Sequence, residues 1–213
     1  MGIAFVKVSD SGNTGSGQGS SSQIVFTPTN AGDLLIIGFF QVSATNTIVS
    51  VTDTNGTTHL LKTQTVNLVA GMYYVPNCAA GAHTITVTYS GSAWNDLFVA
   101  EYSGADAVNP IDVSNAAQGA SGVNPATTLT TTKANEYLVG WVHAEGTVLA
   151  VGGGFASRDT FDGNQVEDKP APTIGTCSIN SPTSALGNWL AIGAGLVQAS
   201  QSVANIFQSV STG

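Results

Sequence analysis

Residues 83–103 set the pattern for the chain. From His83 to Tyr89, Ile85, Val87 and Tyr89 fall on one side and Thr84, Thr86 and Thr88 on the other. That is the period of a half-buried strand. From Asn95 to Ser103 the middle is apolar on both sides (Leu97, Phe98, Val99, Ala100), as in a strand covered on both faces. Gly91, Ser92 and Asn95 predict a turn between the two. Strand-like runs recur at Ile3–Val8, Gln23–Thr27, Asp33–Val42, Thr47–Thr52, His59–Val66 and Leu68–Val75. They continue at Ile111–Ala116, Ala126–Thr132, Glu136–Ala144, Val148–Val151, Phe155–Phe161, Gln165–Lys169, Thr173–Asn180 and Asn188–Val197. Asp33–Val42 is the most apolar and belongs in the centre. Asn55-Gly56 predicts a hairpin, and the Gly/Ser run Ser9–Ser22 a flexible loop. Turn signals every ~8–12 residues are the spacing of sandwiches and barrels. The expectation is an all-β, antiparallel two-sheet β-sandwich of jelly-roll type.

A weak internal echo suggests two pseudo-repeated halves. Ala31-Gly32-Asp33-Leu34-Leu35 resembles Ala134-Asn135-Glu136-Tyr137-Leu138, and Asn95–Ala100 resembles Gly187–Ile192. No charged or Pro-rich linker divides them. Residues 1–198 therefore read as one domain with halves at about 22–104 and 125–198, stacked to bury the apolar face each would otherwise expose. The tail 199–213 differs. Val203, Ile206, Phe207 and Val210 are spaced i, i+3, i+4, i+7, one face of a short helix capped by Ser202. About two turns are unstable alone, so these four residues are candidates for docking or assembly.

Composition narrows the function. Charged residues make up 8% of the chain, against roughly 25% in ordinary soluble domains. The net charge is −8 and the five bases are scattered, which excludes nucleic acid as a partner and disfavours anionic membranes. No run is long enough to span a bilayer, and the N-terminus lacks signal-peptide regions. Cys78 and Cys177 have no metal-motif spacing; two buried thiols are a better reading than a disulfide.

Candidate chemistry is sparse. Asp159, Asp162, Asn164, Glu167 and Asp168 form the acidic cluster of the sequence and could supply oxygen ligands to Ca²⁺, although the spacing is not that of an EF-hand. Trp141, His143 and Glu145 share a strand face near its end. Together with Trp94, Trp141 and His143 are candidates for a glycan platform, against the simpler reading that the strand reaches solvent there. Asp96 and Glu101 have opposite parity and cannot face one another, which disfavours a glycosidase built on them. His59, His83 and His143 lie on three strands without zinc-ligand spacing. No nucleophile elbow or phosphate loop occurs. No catalytic residue and no cofactor is expected.

The phrases IAFV, AGDLLIIGFF, VSVTDTNG, AAGAHTITVTYSG, LFVAEYSGADAVNPIDVSNAAQG and EDK followed by a strand ending NWLAIGAGL resemble a poorly characterised family of β-sandwich domains in bacterial extracellular and phage virion-associated proteins. The resemblance runs to about residue 198. It implies a jelly-roll or immunoglobulin-like sandwich in a surface or virion protein and carries over no site residue. The expected function is a non-enzymatic structural protein, a capsid decoration or cement protein, partnered with itself or with other structural proteins in a virion or at a cell surface. The alternative is a carbohydrate-binding module or receptor-binding adhesin. A deep cavity of converging acidic side chains would contradict both.

Overall fold

The computed structural model describes residues 2–11, 18–64, 68–145, 148, 150–161 and 164–200. The tail positions Val203, Ile206, Phe207 and Val210, and Asp162, lie outside the described residues. Among the described residues there are fourteen strands and no helix. The strands are β1 (Ala4–Asp10), β2 (Gln18–Phe26), β3 (Leu34–Gln41), β4 (Ile48–Asp53), β5 (His59–Gln64), β6 (Val69–Val75) and β7 (His83–Ser103). A second series follows: β8 (Ile111–Gly119), β9 (Ala126–Thr130), β10 (Glu136–Ala144), β11 (Ala156–Phe161), β12 (Asn164–Ala171), β13 (Thr176–Asn180) and β14 (Trp189–Leu196). All pairings between strands are antiparallel.

The strands form four layers. A first inner sheet runs β1-β7-β3-β6-β5, using the second part of β7. A first outer sheet sets β2 and β4 on either side of the first part of β7. The second inner sheet runs β11-β12-β10-β14-β8, and the second outer sheet is β13-β9. Both inner sheets follow one chain order, with β1, β7, β3, β6 and β5 matched by β8, β14, β10, β12 and β11. Each half is thus a two-sheet sandwich of jelly-roll order, and the edge strands β1 and β8, outside the span of the sequence echo, occupy corresponding places.

Three apolar layers separate the four sheets. Ile24, Phe26, Ile85, Val87 and Tyr89 of the first outer sheet pack on Leu35, Ile37, Phe39, Leu97 and Val99. The opposite face of the first inner sheet (Leu34, Ile36, Phe40, Phe98, Tyr102) meets Val139, Trp141, Ile192 and Leu196 of the second. Leu138, Val142 and Ala191 then pack on Leu129 and Ile179 of the second outer sheet. Both inner sheets are therefore covered on both faces, which is why β3 is buried at every position and reads as an unbroken apolar run.

Two local expectations are corrected. Residues 83–103 form one 21-residue strand with no turn at Gly91. Glycine and serine here stay extended because the ladder continues: Gly19 pairs Ala93 and Gln18 pairs Trp94. Where the strand crosses between sheets, Gln41 Nε2 donates to Gly91 O at 2.9 Å and to Gly19 O at 3.0 Å. The Asn55-Gly56 turn does not close a hairpin. β4 pairs β7 and β5 pairs β6, so the turn carries the chain from the outer sheet to the inner.

Candidate functional site

The polar groups of the seam between the halves come from strands whose outward positions would be solvated in an isolated sandwich. At one end Asn164 Nδ2 donates to Asp96 Oδ2 at 2.7 Å. Asn164 also meets His143 Nδ1 through Oδ1 at 3.0 Å, and His143 stacks on Phe40 with centroids 3.8 Å apart. Asp96 Oδ1 accepts from Ser11 Oγ at 3.1 Å and from the Leu97 N–H at 2.8 Å. Burial pushes the Asp96 carboxyl up to about 6, against those two donors, and pushes His143 down to about 4. Further along, Tyr102 donates to Asp168 Oδ2 at 3.1 Å across the seam. Arg158 Nε reaches both Asp168 oxygens at 2.9 Å and its guanidinium lies 4.4 Å over the Phe5 ring.

Three carboxylates, Asp10, Asp96 and Asp159, converge with Phe98, Phe161 and Asn164 on a cleft at the β1/β11 edge of the seam. Burial and a hydrogen bond to Asp10 raise Asp159 to about 6. This is the convergence a carboxylate-dependent hydrolase needs. The space, however, is about 10 Å³, room for one water and not for a sugar ring.

The candidate ligand residues do not assemble. Alternation along β12 sends Asn164 and Asp168 to the seam, whereas Glu167 turns to the other face. There it accepts from the Gly152 N–H at 3.0 Å, the Asn180 N–H at 3.2 Å and Ser181 Oγ at 3.3 Å. Asp168 is taken by Arg158 and the tyrosines, so the proposed calcium cluster is not a site among the described residues. No group of three or more His, Cys, Asp or Glu there is placed to hold a metal.

The glycan platform is also corrected. Trp141 is 1% and His143 4% exposed, because the first half covers the face on which they were expected to meet solvent. Trp141 sits between Phe40 and Phe98, at 6.3 and 5.5 Å. Trp94 is exposed on a different sheet. Cys78 and Cys177 are free thiols, one buried and one partly exposed.

A larger groove, about 360 Å³, opens at the tip of the first half, lined by Asn55, Thr57, His59, Asn77 and Cys78. The His59 ring stacks on Tyr74 with centroids 5.1 Å apart. Near its floor Asp53 and His83 form a fully buried pair at 2.5 Å, and His83 Nε2 lies 3.0 Å from the Ala79 carbonyl. Both ring nitrogens are thereby engaged, so the pair fixes the turn rather than facing a ligand. The alternating strand containing His83 offered no signal that Asp53 would reach it. Comparison with protein-family models, with curated proteins and with solved structures finds no match.

Proposed function

We propose that the protein is a non-enzymatic structural component of a larger assembly, a virion decoration or cement protein being the leading form. The observation that supports it most is the exposed face of the first outer sheet. Register places Ser21, Thr88 and Ser50 in one row and Gln23, Thr86 and Thr52 in the next. Gln23 Nε2 donates to Thr86 Oγ1 at 3.0 Å. No charged side chain stands in either row. Interface cores are depleted of charge because ions are costly to strip of water; a neutral hydroxyl and amide face docks on protein without that cost. The seam chemistry fits the same reading, since its buried carboxylates Asp96 and Asp168 accept from Asn164 and Tyr102 of the opposite half.

Light scattering across a concentration series, on the full chain and on a chain ending at Gln198, tests this. Self-association or binding to a protein lattice that is lost in Thr86→Lys supports it. A strict monomer that binds no protein lattice would overturn it.

A second reading, carbohydrate binding, is favoured by the groove with the stacked His59 and the amides of Asn55 and Asn77. A glycan array that gives hits abolished by His59→Ala would establish it; no hits, with and without calcium, would remove it.

A further inference from the structure

The first inner sheet brings a lysine and two carboxyls together under the outer sheet. Register sets Lys7 of β1 and Leu35 of β3 directly opposite Glu101 of β7, one on each side, and opposed residues share a face. Glu101 is fully buried, and Lys7 Nζ lies 3.9 Å from its Oε2. The lysine is pinned there: its Nζ donates to Thr27 O and sits 4.8 Å from the centre of the Phe26 ring. Two backbone donors clamp the Glu101 carboxylate. The Thr29 N–H lies 2.7 and 2.9 Å from its two oxygens, and the Asn30 N–H lies 3.2 Å from Oε1. Asp33, buried at the head of β3, hydrogen-bonds its carboxyl to that of Glu101; burial first and this neighbour second raise it to about 6.

The jelly roll does not need these groups. Where the first half pairs Leu35 with Glu101, the second pairs Leu138 with Gly195, and Val113 of β8 stands opposite Gly195 as Lys7 stands opposite Glu101. The acid at the head of the central strand is kept, as Glu136, and its Oε2 takes the space over Gly195, 2.5 Å from where a Cβ would lie. The lysine and the central glutamate are therefore particular to the first half. As an ion pair they are a poor investment: stripping water from a carboxylate is costly, and a lysine left 40% exposed returns little. As reactants they are well placed. The amine faces a carbonyl carbon whose oxygens are held by backbone N–H groups, as in an oxyanion hole, beside an acid that titrates near neutrality.

We propose that Lys7 and Glu101 condense, once per chain and without any partner, into a side-chain amide that ties edge strand β1 covalently to β7. Asp33, in its acid form, protonates Glu101 and then takes a proton from the Lys7 ammonium. The freed lone pair on Nζ attacks Cδ of Glu101, and the Thr29 and Asn30 N–H groups hold the oxyanion. Asp33 passes its proton to the hydroxyl oxygen and takes one from the nitrogen; the C–O bond breaks and water leaves. One ammonium and one carboxylate become one amide and one water, Asp33 ends as it began, and no oxidant or co-reactant enters. The tie stands whether or not the protein belongs to a lattice.

Mass spectrometry of the denatured full chain tests this, on fresh protein and after prolonged incubation at neutral pH. The chain should be lighter than its sequence by one water, and a digest should contain one branched peptide joining Lys7 to Glu101. Lys7→Arg keeps the positive charge without a nucleophile that condenses; it should fold and keep its full mass. Asp33→Asn should slow the loss of water at least tenfold. Where Asp33→Asn fails to fold, Lys7→Arg decides, since that side chain is partly in solvent. Full mass in both fresh and incubated chain would overturn the proposal. So would a loss of water that persists in Lys7→Arg, an undiminished rate in Asp33→Asn, or a loss that maps elsewhere, as a cyclic imide at Asp162-Gly163 would.

Discussion

Asn164 on β12 donates to Asp96 on β7 at 2.7 Å, and this bond joins the two jelly rolls at one end of their common core. The same Asn164 side chain holds His143 through its other atom. Replacing Asn164 with Ala leaves Asp96 short of a donor and His143 Nδ1 without its partner. The loss should be about 2–3 kcal/mol, the cost of stranding buried polar groups. Urea unfolding measures it; a change under about 0.5 kcal/mol would show that the seam bond is dispensable.

Asp168 makes the second tie: it accepts from Tyr102 across the seam and is held by Arg158, whose guanidinium lies over Phe5. Arg158→Ala leaves a buried carboxylate with only Tyr102 and Tyr137 as donors, and should destabilise by roughly 3–5 kcal/mol. Replacing Arg158, Asp168, Tyr102 and Tyr137 together with apolar residues of similar size should cost much less than that single change. Comparing the two unfolding curves separates the penalty of an orphaned charge from the net worth of the network.

Stability should fall as pH rises from about 4 toward 8. Asp33, Asp96 and Asp159 are raised from 3.8 to about 6, and Glu136 from 4.5 to about 8, burial being the leading cause in each. The folded chain then holds protons that the unfolded chain has released, so the stability these groups contribute is complete below about 4 and is lost as pH passes their folded values. Asp96, enclosed in the seam, carries on the order of 3 kcal/mol. His143 opposes them. It is lowered from 6.5 to about 4, so its contribution is present above 6.5 and lost as pH falls through 4. Denaturant melts at unit pH steps should show a net decline from pH 4 to 8, reduced in Asp96→Asn. A rise over that range would refute the assignment.

Gly38 lies beneath the ring of Phe98, which a Cβ there would approach to 2.0 Å. Phe98 in turn packs on Trp141. Gly38→Ala should force the ring into the seam at a cost of about 1–3 kcal/mol and change the fluorescence of buried Trp141. An unchanged spectrum with unchanged stability would mean that the core yields more readily than its packing indicates.

Much of the sandwich was legible because alternation and doubly apolar runs survive in β3, β7, β10 and β14. What failed has one cause. Periodicity reports which side of a strand is polar, and cannot say whether that side meets water or a second buried layer. Trp141 and His143 therefore read as a solvent-facing platform when they line the seam. Gly91 and Ser92 read as a turn because composition does not reveal the partners that keep them extended. Asp10 and Asp159 lie on first and late strands, and only the stacking of the halves brings them together.

The two jelly rolls form one body, joined through a shared apolar core and the Asn164–Asp96 and Tyr102–Asp168 bonds. Equilibrium unfolding tests this most directly, followed by tryptophan fluorescence in variants that keep either Trp94, in the first half, or Trp189, in the second. A single transition with the same midpoint for both probes is the predicted result. Two separated transitions would contradict it.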